Sequence, residues 1–225
     1  MKFRHELKFY IDYSDYLAIR SRLRAVAKLD PHVGPTGTYF IRSLYFDNYN
    51  DKALREKIDG VNVREKFRIR YYNHDTSRIT LEKKRKIHGL CKKQQAPLTK
   101  ELCQELVNGN LSILKESGDP LLLELYSKMN TQQMKPRVIV DYIREPYIYE
   151  QGNVRITFDS NIKTGLYSKD FLNPEVPTVS AGEQGTIILE VKFDEYLPEV
   201  IQMAIQLGNR SQTAFSKYAV SRMYG

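Results

Sequence analysis

The sequence predicts an α+β fold, organised as one β-rich domain over residues 1–225 with helices beside a sheet. Several segments alternate charged and apolar residues at period two, which is typical of strands with one polar and one apolar face. Other segments place apolar residues at helical spacing. No internal repeat or convincing linker divides the chain, and 225 residues are enough for one sizeable core. A sheet whose apolar face is covered by helices is the economical interpretation.

The clearest strand runs over residues 64–73 and sets the pattern for the others. Its charged face carries Arg64, Lys66, Arg68 and Arg70, and its apolar face carries Phe67, Ile69 and Tyr71. Four more segments separate the two kinds of residue as cleanly: 4–11, 77–87, 154–159 and 186–193. Segment 39–47 is rich in β-formers, although Arg42 falls in phase with Leu44, and segment 137–149 is a strand candidate interrupted by Pro146.

Helices are predicted between and after these strands. Ser14 offers an N-cap for a helix over 15–29, which Asp30-Pro31 ends. A short helical or irregular piece containing Arg55 lies within 48–60. Longer helices are expected at 97–107, 120–134, 198–207 and 211–223, and glycine and proline mark loops at 34–37 and 173–185.

Composition narrows the class of protein. The net charge of +8 and a pI of about 9.3 indicate an anionic partner: nucleic acid, a membrane surface or a phosphorylated small molecule. The two cysteines, Cys91 and Cys103, fit neither a zinc pattern nor a disulfide framework. The first residues are charged where a signal peptide is apolar, and no apolar run is long enough to span a membrane. A cytoplasmic location is therefore expected, with membrane association only through a separate membrane protein partner.

The repeated charged face is the feature that bears on function. Two like charges 4 Å apart repel by about 4 kcal/mol at an effective dielectric of 20. Such a face is tolerable against bulk water, as an open platform for nucleic acid, or lining a barrel that encloses a polyanion. Arginine suits the last case because its planar fork binds phosphate oxygens in bidentate fashion. Glu6, Glu82 and Glu190 lie among these bases and either neutralise them or hold Mg²⁺ or Mn²⁺ against phosphate.

Six short segments add a resemblance to these patterns. They are His5-Glu6-Leu7-Lys8, Ser43-Leu44-Tyr45-Phe46-Asp47, Phe67-Arg68-Ile69-Arg70-Tyr71-Tyr72, Leu81-Glu82-Lys83-Lys84, Leu189-Glu190-Val191-Lys192-Phe193 and Phe215-Ser216-Lys217-Tyr218. In this order they resemble the VTC (vacuolar transporter chaperone) domain of the triphosphate tunnel metalloenzyme superfamily, over residues 3–222. The resemblance implies an antiparallel β-barrel tunnel with helices packed on the outside. It also implies metal-dependent phosphoryl transfer, most directly ATP-dependent polyphosphate synthesis inside the basic tunnel.

By position, the resemblance assigns phosphate contacts to a set of polar residues. The catalytic role falls to Arg68, Arg70, Lys84 and Arg155. A substrate-binding role falls to Lys8, Arg55, Arg144, Ser216 and Lys217. Glu190 would be the ligand of Mn²⁺ or Mg²⁺. Arg55 and Arg144 rest on the resemblance alone, whereas strand alternation independently places Lys8, Arg68, Arg70, Lys84, Arg155 and Glu190 on charged faces.

Two departures from the family pattern bear on the reaction. Arg4 stands where the related CYTH proteins carry the first glutamate of a Glu-x-Glu-x-Lys strand, which argues against an ordinary CYTH cyclase or thiamine triphosphatase. Ala214 stands where the polymerases carry a further lysine, a loss that would weaken synthesis or shift the balance toward hydrolysis. The alternatives are therefore a tripolyphosphate or nucleoside triphosphate hydrolase, and a non-catalytic polyphosphate or nucleic-acid binder. The expected partners are ATP or another triphosphate and polyphosphate, with nucleic acid disfavoured.

Overall fold

The computed structural model describes residues 3–166, 169–183, 185–206, 208 and 210–223. The strands are His5–Ile11 (β1), Lys28–Leu29 (β2), Tyr39–Asp47 (β3), Val63–Tyr72 (β4), Asp75–Ile87 (β5), Leu90–Leu98 (β6), Lys135–Tyr149 (β7), Val154–Leu166 (β8), Val179–Ser180 (β9) and Ile187–Phe193 (β10). The helices are Tyr13–Val26 (α1), Lys52–Ile58 (α2), Lys100–Asn108 (α3), Ser112–Lys115 (α4), Pro120–Thr131 (α5), Glu199–Ala204 (α6) and Lys217–Met223 (α7).

The strands form one antiparallel sheet in the order β1-β10-β8-β7-β3-β4-β5-β6, with β2 beside β7 and β9 beside β8. The sheet curls until its two edges approach, and the backbones of Arg4 and Cys91 exchange two hydrogen bonds of 3.3 Å there. Within the described residues this isolated bridge is the only pairing between the edges, so a continuous ladder does not close the sheet. The predicted α+β class, with an antiparallel sheet and helices against its outer face, is confirmed.

Strand alternation divides the apolar residues into clusters on the two sides of the sheet. On the outside, Phe67 and Ile69 of β4 pack with Leu106 of α3 and Leu125 of α5. A second outer cluster joins β1, β8 and β10 to α1 and α6. On the concave side, Tyr218 of α7 packs among inward residues of β3, β7 and β8. Helix α7 therefore covers the inside of the curled sheet, while the longer helices cover the outside.

Arg42 explains the poor alternation predicted for β3. Its side chain lies on the outer face, fully buried, and its guanidinium donates two hydrogen bonds of 2.8 and 2.9 Å to Asp141 on β7. It also donates to the carbonyl of Asn173 in the following loop. A buried arginine is tolerated on an apolar face when a carboxylate and carbonyls satisfy its donors. Arg42 therefore belongs to the outer packing and not to the charged inner face.

The structure corrects the sequence prediction between residues 88 and 99. Strand β6 was not predicted, because its sequence alternates weakly and contains Pro97 near its end. The helix expected from residue 97 begins at Lys100, since Thr99 is the N-cap and its Oγ1 accepts a hydrogen bond of 3.1 Å from the Leu102 N–H. Proline is tolerated in β6 because this strand lies at the edge of the sheet.

Pro146 does not interrupt β7, contrary to the sequence prediction. Strand β3 pairs with β7 as far as Arg144, and the short β2 begins to pair at Tyr147. Pro146 lies in the gap between these two partners, where its carbonyl accepts a hydrogen bond of 3.1 Å from the Asp30 N–H. A missing N–H at this position costs no ladder hydrogen bond, so the strand continues through it.

Several helix boundaries differ from the prediction. The helix expected over 15–29 ends at Val26, because Lys28–Leu29 form β2, and the helix expected over 120–134 ends at Thr131. Helix α1 is capped by Asp12, which forms a capping box with Asp15, instead of by Ser14. The C-terminal helix begins at Lys217 and not at residue 211, because the preceding segment is extended and pairs with β1, where the Thr213 N–H donates to the Lys8 carbonyl over 2.8 Å. The predicted helix end at residue 207 lies outside the described residues.

A buried basic cavity as the candidate functional site

Two adjoining cavities occupy the concave side of the sheet. The outer one has a volume of about 420 Å³ and is lined by residues of β1, β4, β5, α2 and the segment before α7. The inner one has a volume of about 70 Å³ and is lined by residues of β1, β3, β4, β5, β7, β10 and α7. The residues shared by both linings are Glu6, Lys8, Lys66, Lys84 and Ser216. A side chain at this junction can contact a ligand in either cavity.

Strand alternation places the basic side chains in the lining of the inner cavity. On β4, Lys66, Arg68 and Arg70 line the cavity while Phe67 and Ile69 pack outside. The same alternation turns Lys8, Lys84 and Glu190 inward on β1, β5 and β10, together with Arg144 on β7. The structure thus brings together these predicted residues with Ser216 and Lys217 of the C-terminal segment.

Arg68 and Arg70 share one carboxylate. The Arg68 guanidinium donates to Glu82 over 2.7 Å and to the Tyr45 hydroxyl over 2.9 Å. Arg70 lies 3.8 Å from the same carboxylate and donates to the Tyr142 hydroxyl over 2.7 Å. Burial alone raises the pKa of Glu82, but the two guanidinium groups and Lys93 outweigh it and hold that pKa well below its usual range. Glu82 is therefore an anion that neutralises these bases.

A second group joins Glu6 and Glu190 through lysines. The Lys84 ammonium lies 2.8 Å from both oxygens of Glu6, and Lys8 lies 3.7 Å from Glu6 and from Glu190. Lys192 contacts both carboxylates as well. Burial raises the pKa of Glu6, but the surrounding lysines, Lys8 foremost, lower it to about 2, and the pKa of Glu190 is lowered for the same reason. Both carboxylates are therefore ionised at neutral pH.

The third group centres on Asp159, which is fully buried on β8. Arg144 donates two hydrogen bonds of 2.6 and 2.7 Å to its two oxygens, and the Lys217 ammonium lies 2.5 Å from one of them. Lys217 also lies 4.7 Å from the centre of the Tyr142 ring. Ser216 is buried beside it, and its Oγ accepts a hydrogen bond of 3.4 Å from the Ala219 N–H at the start of α7. This cluster fixes α7 to the cavity wall.

Two predicted residues lie elsewhere. Arg55 is exposed on α2 and lines neither cavity. Arg155 also lies outside both linings and donates to Asp30 over 2.7 Å and to the Tyr39 hydroxyl over 2.6 Å. Their assigned roles stay predictions.

Several lining residues were not among the predicted site residues. They are Glu6, Tyr45, Lys66, Tyr142 and Lys192. Strand phase gives a signal for the charged ones, since Lys66 alternates with Arg68 and Lys192 with Glu190. No comparable signal identifies Tyr45. In the structure its hydroxyl faces Arg68 and Lys66: burial raises its pKa, and the cations overcome this and lower it to about 7.

The carboxylates fit a divalent cation only in part. Among the described residues, no group of three or more His, Cys, Asp or Glu side chains could hold a metal ion by itself. Glu6 and Glu190 nevertheless present ionised oxygens to the same two lysines, Lys8 and Lys192. Mg²⁺ is commonly bound by one or two carboxylates plus substrate phosphates and water. The donor set therefore fits an ion that arrives with a phosphate ligand.

Comparisons with known proteins agree with this architecture. Among solved structures, a proposed adenylyl cyclase from Hippeastrum with a dominant triphosphatase activity is similar over 100% of this chain and 96% of its own, at 15% identity and a TM-score of 0.56. A proposed adenylate cyclase from Bacillus halodurans is similar over 91% of this chain and 87% of its own, at 15% identity and a TM-score of 0.51. At these identities the likeness shows a shared fold, and it fits the predicted tunnel.

No curated protein matches the chain. In the part of the chain that the structure describes, no helix has the length and apolar character needed to cross a membrane. The family model described as the VTC domain matches residues 3–224, which is nearly the whole sequence. The chain therefore belongs to the VTC domain family.

Proposed function

We propose that this chain catalyses metal-dependent phosphoryl transfer on linear triphosphates, with ATP-dependent polyphosphate synthesis as its reaction. The observation that carries the proposal is the convergence of basic side chains from β1, β4, β5, β7, β10 and α7 on one cavity. A linear polyanion supplies the density of negative charge that this cavity requires. Nucleic acid is disfavoured as the ligand, because stacking of successive bases needs an open face, whereas these basic side chains converge on a buried cavity.

Substrate binding would be an exchange of anions. In the free protein the Arg68 guanidinium donates a hydrogen bond to the Glu82 carboxylate, and Arg144 donates one to Asp159. Phosphate oxygens present the same acceptors as a carboxylate, and arginine binds both in bidentate fashion. Each phosphate group can contact several bases at once, which offsets the loss of the internal pairs. The inner cavity is small because these pairs fill it, so the side chains must separate when a triphosphate enters.

The chain's contribution to the chemical step would be positioning and charge stabilisation. Arg68, Arg70, Lys84 and Arg155 are the proposed catalytic residues, holding the oxygens on which charge builds during transfer. Lys8, Arg144, Ser216 and Lys217 would hold the rest of the polyanion. For the exposed Arg55, and for Arg155 beside Asp30, this role requires a part of the polyanion that extends beyond the inner cavity. The acceptor is a phosphate end, which needs no dedicated base.

Glu190 is the proposed ligand of Mn²⁺ or Mg²⁺, with Glu6 beside it. When bound, the ion would polarise the transferred phosphoryl group and cancel the repulsion between carboxylate and phosphate. The residues of the chain keep both carboxylates ionised through the lysines around them. Lys8 and Lys192, which contact both carboxylates, would turn to the phosphate oxygens once the ion takes their place.

Hydrolysis of tripolyphosphate or a nucleoside triphosphate is the second candidate, and one residue favours it. Ala214 lines the outer cavity, at the position where the polymerases carry a lysine. The cavity thus has one cation fewer to hold a growing chain against the donor triphosphate. Water would then compete better as the acceptor.

Product analysis tests the proposal. Purified protein with ATP and Mn²⁺ is expected to form phosphate chains that a polyacrylamide gel and ³¹P NMR detect. Arg68→Ala and Glu190→Gln should both remove this product, whereas Lys28→Met, which breaks an exposed ion pair, should not. Orthophosphate alone would support the hydrolase. Binding of polyphosphate or RNA without turnover under any divalent ion would support a non-catalytic binder and overturn the proposal.

The location of the chain and a membrane partner are outside the reach of this test and stay proposals. The cytoplasmic location rests on the charged first residues and the lack of a long apolar run in the sequence, and association with a membrane would require a separate membrane protein as partner. Co-purification of the chain from a membrane fraction, lost after the membrane proteins are extracted, is the corresponding measurement.

A further inference from the structure

Lys66 differs from every other basic residue that lines the inner cavity. Within the described residues, each of the others has a carboxylate oxygen within 4 Å: Lys8, Arg68, Arg70, Lys84, Arg144, Lys192 and Lys217. Among the described residues, no carboxylate forms an ion pair or hydrogen bond with the Lys66 ammonium. Its nearest described partner is the Tyr45 ring, whose centre lies 5.4 Å away. In the described lining of the inner cavity, every basic side chain except Lys66 therefore has a carboxylate partner.

The position of Lys66 is the second observation. It belongs to the linings of both the outer and the inner cavity, so its ammonium faces the passage between them. Lys84 and Lys8 share this junction, but Glu6 contacts both of them. Lys57, Arg64 and Lys86 line the outer cavity alone, also without a carboxylate within 4 Å among the described residues. At the junction, a polyanion that passes from the outer to the inner cavity therefore meets one unpaired cation, Lys66, before it meets the paired ones. Contact with Lys66 breaks no existing ion pair, whereas contact with Arg68 or Arg144 does.

We propose that Lys66 is the entry contact of the cavity: it binds a terminal phosphate group in the outer cavity and passes it to the paired arginines as their carboxylates separate. This inference rests on the proposed function, since it takes a linear polyphosphate as the ligand. It makes Lys66 a binding residue whose loss slows association, because the first contact governs the encounter between charged partners. The residues deeper in the cavity govern dissociation.

Metal-free binding of inorganic tripolyphosphate tests the proposal. Isothermal titration calorimetry and stopped-flow fluorescence of the tyrosines would compare the wild type with Lys66→Met, Lys66→Arg and Lys86→Met. The last is a matched control: it removes the same charge from a lysine that lines the outer cavity alone. Lys66→Met should weaken binding about 10- to 100-fold, the loss expected for one charged hydrogen bond, mainly through a slower association rate. Lys66→Arg should retain most of the affinity, and Lys86→Met should lose less than about threefold.

A pH series adds a readout that a purely structural role would not move. Burial lowers the pKa of Lys66 to about 7, while Tyr45 on β3 opposes this shift and Lys84 on β5, Lys8 on β1 and Arg68 on β4 add to it. The protonated lysine binds phosphate, so the affinity of the wild type should fall relative to Lys66→Met as the pH rises through about 7. Taking the ratio to the variant cancels the ionisation of the ligand itself.

The outcomes separate this inference from the function on which it rests. Equal losses in Lys66→Met and Lys86→Met, or an unchanged association rate in Lys66→Met, would overturn the entry role while leaving a phosphate-binding cavity. A wild type that binds no tripolyphosphate would overturn both. A wild type that binds it but forms no phosphate chains would overturn synthesis alone, and the comparison of variants would still decide the role of Lys66.

Discussion

Asp159 neutralises two cations of the inner cavity, Arg144 and Lys217, and its replacement by asparagine gives a sharp test. The carboxylate is fully buried and is contacted by Arg144 through two hydrogen bonds and by Lys217 at 2.5 Å. Asp159→Asn keeps the volume and removes the charge, which leaves two buried cations without an anion. Removing one partner of a buried ion pair costs about 3 to 5 kcal/mol. We expect the free energy of unfolding to fall by this amount in urea titrations at neutral pH.

The pH dependence of stability gives an independent measure of what the Asp159 carboxylate contributes to the free energy of unfolding. Burial raises the pKa of Asp159, but Arg144 and Lys217 outweigh it and lower the pKa from 3.8 to about 2. The ionised carboxylate therefore contributes stability on the order of 2 kcal/mol. Because the folded-state pKa is the lower one, this stability is present above about pH 4 and is lost as the pH falls toward 2. The variant should lack this part of the acid destabilisation.

Tripolyphosphate should increase the free energy of unfolding more in Asp159→Asn than in the wild type. In Asp159→Asn the released Arg144 and Lys217 can bind phosphate without first giving up a carboxylate. The increase in the urea midpoint on adding tripolyphosphate should therefore be larger in the variant. Glu150→Gln, which breaks an exposed pair with Lys28, is the control and should behave as the wild type. A loss below about 1 kcal/mol, or equal stabilisation by tripolyphosphate in both proteins, would refute the reasoning.

The other predictions concern the metal, the acceptor and the outer face. Glu190→Gln should abolish Mn²⁺-dependent turnover but tighten metal-free tripolyphosphate binding, since one repelling carboxylate is gone; weaker metal-free binding in a calorimeter would contradict this. Ala214→Lys adds a cation to the outer cavity and should lengthen the phosphate chains resolved on a gel, and unchanged or shorter products would contradict the role given to this position. Arg42→Met should cost about 3 to 5 kcal/mol of stability by stranding Asp141, yet leave tripolyphosphate affinity unchanged at a temperature where it is folded.

The faces of the strands could be predicted from the sequence because they depend on local geometry. Side chains alternate along any strand, so Arg68 and Arg70 fall opposite Phe67 and Ile69 whatever the rest of the chain does. The same rule failed on β6, where the alternation is weak. It placed Arg42 in phase with Leu44, but it could not show why an arginine is tolerated on that face, since its burial depends on Asp141, which lies 99 residues away in sequence. That residues 1–225 form a single domain stays a prediction.

By itself, the sequence determined that a sheet with one strongly basic face exists, and its motifs indicated the family and most of the residues that line the cavity. The tertiary structure alone decided which carboxylate neutralises which base, that no described carboxylate lies within 4 Å of Lys66, and that α7 covers the concave side. These facts depend on sheet curvature and on contacts such as that between Lys8 and the carbonyl of Phe215, 207 residues apart. Period-two alternation fixes the direction of a side chain, but only the curled sheet fixes what that side chain meets across the cavity.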